Sequence, residues 1–517
     1  MSDEAAASPQ AQRFDVCIIG AGAAGLVLAE ILSRETPLQI CIVEAGPDHF
    51  RDRKEPFRVR SLLREHVGVN TGLVTAFGGA TNTWGGGLIR LSPADFEALE
   101  GRPDTAWPIP FDEIVPHYAA IESLFGIVPS SRGPDRTFCE TDACIVRRRD
   151  IPILPFRRKN FAKAFGPLLR SRSNVTILCD TQISAIEPDG AGGVRHLLTA
   201  SKDGVRRRIA AQRFVVSAGI VNTNLLGARV LSACGVAPAA VRQGRFFHDH
   251  FSFPIARLHP KSPGRFSRRF GYLFENGLMY GEHFDLESRG ARRPGAFLHL
   301  AFDMSESSIL RPVRDLLNVV QQRTLNPKSW PSWRELASLT IGLPRLGFMR
   351  YLGRRLYLDR GTKILATIDL EQTPIAEWMI QQASDQCAVT WDVAPSDIDL
   401  AARLMPTCRQ IIDRLGNESP FEIEWLVPDP AADPDGFAAH LRLHAVDTLH
   451  SSGGLRMGAT REALVDPDLR LAGVGNVHIL STAVFPRVGT SNPTLTILAL
   501  GHRLAQHLLR EVGQGEP

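Results

Sequence analysis

The first fifty residues constrain the fold more than any other part of this 517-residue chain. Residues 14–19, FDVCII, form a continuous apolar run of the kind that makes a strand covered on both faces. Gly20-Ala21-Gly22-Ala23-Ala24-Gly25 follows, then LVLAEILSR at helical spacing, then a second apolar run, LQICIVE, that ends at Glu44. Strand, GxGxxG, helix, strand and terminal acid together are the dinucleotide-binding fingerprint. Gly20 permits the tight turn, Gly22 lets a pyrophosphate approach the backbone, and Gly25 lets the helix pack on the strand. The helix opened by Ala23 and Ala24 points its positive end at the phosphates. Glu44 is placed to accept ribose hydroxyls, and Ala45 after it suits an adenosine ribose with no 2′-phosphate. The bland alternative is a βαβ unit with a glycine-rich turn and no ligand.

Composition narrows the class. A chain this long exceeds one simple core, so two domains or an elaborated α/β unit are expected. A net charge of +4 gives no overall basic surface, so nucleic acid is not an expected partner. Eight cysteines in this length make no disulfide framework; Cys17 and Cys41 lie in the apolar runs, and Cys139 and Cys144 have no second pair to complete a zinc site. A reducing, cytoplasmic compartment fits. The polar, acidic start MSDEAAASPQAQRF lacks the basic and apolar regions of a secretory signal, and no apolar run reaches the roughly 18 residues of a membrane span.

Further nucleotide-domain elements are spread along the chain. VTILCDTQISAI at 175–186 reads as two strands, FVVSAGIVNTNLLGAR at 213–228 as a strand turning into a helix, and NPTLTILALGHRLAQHLL near the end as a helix. The expected architecture is a Rossmann-like α/β FAD-binding domain, discontinuous over 1–100, 165–240 and 440–517, with an inserted α+β substrate-binding domain over 101–164 and 241–439.

Several further motifs are FGGATNTWGGG at 77–87, WPIPFDEIVPHY at 107–118, SAGIVNT at 217–223, GRFFHDH at 244–250 and DLEQTP at 369–374. LHSSGGLRMG at 449–458 and STAVFPRVGTSNPTLTILALGHRLA at 481–505 complete the set. With GAGAAG and Glu44, these resemble the glucose–methanol–choline (GMC) flavoprotein oxidoreductases over most of the chain. The short length and the Gly-Gly…Trp-Gly-Gly run look more like the bacterial sugar and polyol members. The resemblance implies FAD, and oxidation of the CH–OH group of a sugar, polyol or related alcohol by proton abstraction and hydride transfer to flavin N5. It implies His450 as the catalytic base, a role that suits an imidazole titrating near neutrality. Asn492 then hydrogen-bonds the substrate oxygen. Residue types alone also suit Asn492 as a helix N-cap before Pro493 at the first helical position. Cofactor contacts are implied at Gly79, Thr81, Gly85, Ile183, Ala218, Ala483, Asn492 and Thr494.

This chain departs from the family at three points. Thr83 stands where some members carry a flavin-linked histidine, so the FAD is expected to be non-covalent. Ser481 replaces a common Asp, and Gly454 a common Thr. The serines and glycines after His450 are expected to let the loop come close to a planar ring. His440 and His444, with no motif after them, read as ordinary. His248-Asp249-His250 has a chelating spacing, but no further carboxylate or Cys accompanies it at metal spacing, so a structural or pocket-edge role is expected and no metal.

Residues 311–363 hold eleven Lys/Arg against three Asp/Glu, a net +8 interleaved with Trp330, Trp333, Phe348 and Tyr351. This basic, helical insert reads as a lid with solvated arginines, or as an element that docks on anionic lipid or receives a lipid-linked or phosphorylated substrate. Oxygen, a quinone or a partner protein remain open as the electron acceptor. The alternatives to alcohol oxidation are a lyase of the same fold and a flavin-bound module without turnover.

Overall fold

The structure, a computed structural model, describes residues 11–50, 59–236, 243–290, 292–313, 333–383, 386–460 and 462–513. Its first sheet is built on the opening βαβ unit. The strands Val175–Leu178, Ile40–Val43, Gln12–Ile19, Arg206–Val216 and Val477–Ile479 lie side by side and parallel. Thr181–Pro188 and Val194–Ser201 join as an antiparallel meander beside Arg206–Val216. Val16, Cys17, Ile18, Ile40, Cys41 and Ile42 are all fully buried, as unbroken apolar runs require in a sheet covered on both faces. The helices Ala23–Glu35 and Thr494–Gly513 pack on one another against this sheet.

The second sheet has nine strands and is antiparallel. Its main order is Phe421–Trp425, His250–Pro260, Lys363–Glu371, Ala296–Asp303, Leu278–Ser288, Cys144–Ile153 and Arg136–Glu140. Here the sequence alternates. Phe251, Phe253, Leu298, Leu300, Ile368, Leu370, Phe284 and Leu286 point into one core, which they share with Ile398, Leu404 and Ile411 of the helix Pro395–Glu418. The intervening Ser252, His299, Asp369, His283 and Asp285 share the opposite face. A third, small sheet pairs Val59–Leu63 with Gln386–Trp391 and Met379–Ala383.

Two segments cross the boundaries drawn from the sequence. Val59–Leu63 pairs with a strand from the range assigned to the substrate domain, and Val446–Asp447 pairs with His250–Pro260 of the second sheet. Both are short, and nothing in a five- or two-residue strand announces its partner.

A buried ion pair fastens the second sheet to the C-terminal segment. Arg487 donates to Glu371 through Nε at 2.7 Å and through Nη2, and Glu371 also accepts from the backbone of Gly489 and Gly295, each at 2.8 Å. Both side chains are buried. Charge attraction from Arg487 and these donors outweigh the effect of burial and hold the Glu371 carboxyl below its ordinary range. Arg487→Met strands a buried carboxylate and is expected to cost about 3–5 kcal/mol of stability, while the double replacement Glu371→Leu/Arg487→Met recovers most of the loss. Urea unfolding of both variants checks this; a single variant within about 1 kcal/mol of wild type contradicts it.

Candidate active site

The dinucleotide turn is shaped as the sequence requires. At Gly20, with φ of 107°, an added Cβ would lie 2.5 Å from the Ser217 carbonyl oxygen, and at Gly25 one would lie 2.2 Å from that of Gly20. At Gly22 the nearest atom to an added Cβ is 3.9 Å away. Two glycines therefore close the turn and the middle one leaves it open for a ligand. The helix Ala23–Glu35 is capped by Gly22 with no side-chain hydrogen bond, so its first N–H groups keep their donors.

Glu44 is buried and accepts from the backbone of Ala21 at 2.8 Å and Gly46 at 2.9 Å. Burial raises its pKa against these two bonds. The carboxylate thus braces the turn while each oxygen keeps a lone pair for a ribose hydroxyl. Ile183 lies on the strand that starts at Thr181, whose N–H reaches the Glu44 carbonyl at 2.9 Å. The Ala218 N–H is taken by the Thr223 hydroxyl at 3.1 Å.

The glycine-rich loop joins this turn to the other end of the site. An added Cβ at Gly79 would sit 2.9 Å from the Gly22 Cα, and one at Gly87 would sit 3.4 Å from Asn492 Nδ2, while Gly85 faces open space. One segment therefore runs from the phosphate turn to the C-terminal helix, the span a dinucleotide with a tricyclic ring needs. The residues present fit FAD.

Some expected contacts are redirected. The Thr81 hydroxyl donates to the Gly78 carbonyl at 2.5 Å and accepts from Phe161 N–H at 3.2 Å, so it holds the loop instead of facing outward. Ala483 is fully buried; its N–H goes to Ser481 Oγ at 3.3 Å and its carbonyl accepts from Leu455 N–H at 3.0 Å. Ser481 in turn caps the short helical turn Thr482–Val484. The C-terminal helix begins at Thr494, with the Pro493 carbonyl accepting its first bond from Ile497 at 3.0 Å. The cap is therefore Pro493, one residue later than the sequence suggests. Asn492 stands outside the helix with its amide toward Gly87.

His450 sits at the far end of the same region, half-buried. Leu449 before it takes a left-handed φ of 65°, which a leucine adopts at a cost of ~1–2 kcal/mol. That bend aims the His450 N–H at Asp249 Oδ1, 3.0 Å away. Gly453 and Gly454 also have positive φ, but for a reason other than cofactor approach. A Cβ at Gly453 would strike the Phe246 carbonyl oxygen at 2.2 Å, and one at Gly454 would strike Asn224 Oδ1 at 2.1 Å. The small residues let the loop thread between two protein walls, and Asn224 fills the place a threonine would need.

The hydrogen-bond pattern assigns the histidine's tautomer. His250 Nε2 donates to the Gly489 carbonyl at 2.6 Å, so a neutral His250 presents a lone pair at Nδ1, 3.1 Å from His450 Nδ1. The Thr448 hydroxyl, 3.2 Å from Asp249 Oδ1, donates to that carboxylate and accepts at 2.8 Å from the same His450 Nδ1. Both neighbours place the proton on Nδ1 and leave Nε2 of His450 as a basic lone pair. Burial and His250 pull this imidazole down to about 4, against the upward pull of Asp249 and Asp369. It is therefore unprotonated at neutral pH, the state a base needs.

Asp249 was expected in a structural or pocket-edge role. It is fully buried and also accepts from Ser451 Oγ at 2.8 Å, and its Oδ2 lies 3.3 Å from His66 Nε2. His66 in turn lies 3.4 Å from Asp447, which fixes the backbone of Val67 at 2.6 Å and Gly68 at 2.7 Å. The fold thus supplies the carboxylate that sequence spacing around His248 did not. Asp249, His250 and His450 bring ligand-type atoms within 4.8 Å of one another, as do His66, Asp249 and Asp447. The carboxylates of both groups already accept protein hydrogen bonds. His248 is elsewhere occupied, its Nδ1 lying 2.8 Å from the Phe246 carbonyl. His440 and His444 face one another on the helix Pro434–His444, with ring centroids 4.4 Å apart. All eight cysteines are free thiols.

A profile described as GMC oxidoreductase matches residues 380–501, and one described as lycopene cyclase protein matches residues 15–56. Oxygen-dependent choline dehydrogenase of Rhizobium etli is 22% identical across 96% of this chain and 95% of its own length. Pyridoxine 4-oxidase, a solved structure, superposes with a TM-score of 0.60 at 17% identity, covering 96% of this chain and 99% of that one. Over residues 380–501 the chain is similar to the GMC oxidoreductases. A formate oxidase from Aspergillus oryzae superposes as well, at TM-score 0.61 and 12% identity over 98% of this chain and 100% of that one. Local identity is higher to 6'''-hydroxyparomomycin C oxidase of Streptomyces lividus, 32% over 22% of this chain. The chain spans about a quarter of the length of that relative and of paromamine 6'-oxidase of Streptomyces fradiae, at 23% and 26%.

At position 83 this chain offers no imidazole. The exposed Thr83 hydroxyl is 3.3 Å from the Ala80 carbonyl of its own turn. Acid precipitation of the FAD-loaded protein is expected to leave all the yellow colour in the supernatant; colour retained in the washed pellet contradicts non-covalent binding.

Proposed function

We propose that this protein oxidises the CH–OH group of a small-molecule alcohol, with His450 as the base, and passes the electrons to an external acceptor. The observation that carries this reading is the His450 Nε2 lone pair, fixed by His250 and Thr448 at the end of the glycine loop where Asn492 stands. Bound in the cradle, FAD supplies a hydride acceptor at its N5. The protein's own work is proton handling and placement. His450 Nε2 takes the hydroxyl proton as the C–H bond breaks. The charge that develops on its ring is met by Thr448, which already donates to Asp249. Asn492 Nδ2 donates to the substrate oxygen and holds the carbinol carbon in place. A lyase of this fold or a flavin module without turnover finds no feature here that favours it.

His450→Ala is expected to keep its flavin and lose ~10²–10⁴-fold in the rate of alcohol-dependent flavin reduction. In the wild type the acid limb of that rate lies near pH 4, where His450 becomes protonated, and not at 6.5. Anaerobic stopped-flow measures both. A variant rate within about threefold of wild type rules His450 out as the base.

A second reading concerns where the protein works. No helix among the described residues is long and apolar enough to cross a membrane. The helix Trp333–Tyr351 buries Leu339 and Met349, and an added Cβ on Gly342 would meet Ile309 at 2.6 Å. Its other side carries Leu343, Phe348, Tyr351 and then Leu352, the last three 62%, 81% and 74% exposed, beside Arg345 and Arg354. Trp330 lies outside the described residues. A cleft of about 530 Å³ lined by Ser131, Glu275, Arg350 and Arg354 adjoins this helix, away from His450. We infer that this face rests on an anionic lipid surface. Each basic residue near such a surface is worth roughly 1 kcal/mol, screened by salt. The protein is expected to sediment with phosphatidylserine vesicles at low ionic strength, to be released as salt rises, and to ignore neutral vesicles. Equal recovery in the supernatant with both vesicle types at low salt leaves a solvated lid.

A further inference from the structure

The polar face of the nine-stranded sheet carries a group that the reaction as proposed leaves unused. Asp369 is 7% exposed, and its Oδ1 has no hydrogen-bond partner. Its Oδ2 lies 3.6 Å from His299 Nε2, and the Ser252 hydroxyl, directly across the strand pair, also bonds the carboxylate. Burial alone would raise this carboxyl, but His299, the Ser252 hydroxyl and His250 pull it down to about 2, so it is ionised.

Asp369 stands beside the base. A run of rings leads from His450 to His250 at 5.2 Å between centroids, to Phe297 at 6.3 Å, and on to His283, stacked on Phe297 at 4.5 Å. His299 follows at 5.3 Å from His283. Phe297 is the register partner of both Asp369 and Asp285, so all three share this face. Burial and His299 keep His283 neutral. Arg149, the register partner of His283, is already paired with Asp285 at 2.7 Å and with Asp135 at 2.8 Å. The face therefore holds a carboxylate oxygen, Asp369 Oδ1, that no protein donor among the described residues reaches. An unpaired buried carboxylate is costly unless a bound group supplies donors and positive charge.

Resting on the reading of His450 as the base, we propose that Asp369 is a substrate-recognition residue that binds a protonated primary amine on the alcohol being oxidised. The N–H of the amine would donate to Oδ1, a charge-assisted bond. A quaternary ammonium has no N–H and gains less at this oxygen.

The test uses FAD-loaded protein at pH 7 and ligand pairs that differ in one group: glucosamine against glucose, and 5-amino-1-pentanol against 1,5-pentanediol. Binding is read from the perturbation of the oxidised flavin spectrum, without turnover. The amine member is expected to bind about tenfold more tightly or better, the worth of ~1.4 kcal/mol. Asp369→Asn removes that preference and leaves the neutral member within about threefold, and Asp369→Glu restores part of it. Equal binding of both members, binding of neither, or the same loss for both members in Asp369→Asn overturns the proposal. Amine preference without flavin bleaching would sink alcohol oxidation and leave the recognition site standing. Bleaching by neutral alcohols with no amine preference would do the reverse.

Discussion

Everything at the catalytic end hangs on the carboxylate of Asp249. It is fully buried, and burial alone would push its pKa up. The donors gathered round it, His66 first among them, hold it lower. Through Oδ1 it takes the backbone of His450 and the hydroxyl of Thr448; through Oδ2 it takes Ser451. One side chain thus sets the bend at Leu449, the height of the imidazole and the direction of the Thr448 hydroxyl. His66 and Asp447 tie the same carboxylate to the segment 66–72, so the loop cannot shift without disturbing a distant part of the chain. Such networks specify one geometry because each buried group left unsatisfied is expensive.

The two sheets divide the work by periodicity. The parallel sheet is apolar on both faces and positions a turn and a helix end. The antiparallel sheet is apolar on one face only, which frees every second residue along four strands for chemistry. His250, Asp369, Phe297, His299 and His283 are brought together by cross-strand register. The ion pair between Glu371 and Arg487 then presses this sheet against the segment that carries Asn492. The polar face of the sheet reaches the same segment a second time, where His250 Nε2 bonds the Gly489 carbonyl.

The opening unit was legible because all its determinants are local: two apolar runs, three glycines and an acid within some thirty residues. His450 and Asn492 are candidates through the motifs that surround them. The rest of the site was not legible, for a physical reason. Asp249 and His450 are 201 positions apart, and His66 and Asp447 are 381 apart, so no spacing rule links them. Asp369, His299 and His283 sit in strands whose alternation marks a polar face but does not say what faces it. Where local rules did speak, tertiary packing sometimes took the residue for another purpose. Thr81 and Ala483 turned inward to hold their loops, and Gly454 yielded its Cβ space to Asn224.

The central claim is that a C–H bond at a carbinol carbon breaks while His450 removes the hydroxyl proton. The most direct measurement is the rate of anaerobic flavin bleaching by an alcohol and by the same alcohol deuterated at that carbon. The account predicts bleaching that is slowed several-fold by the deuterium. Bleaching at the same rate with both, under conditions where binding is fast, or no bleaching by any alcohol, would contradict it.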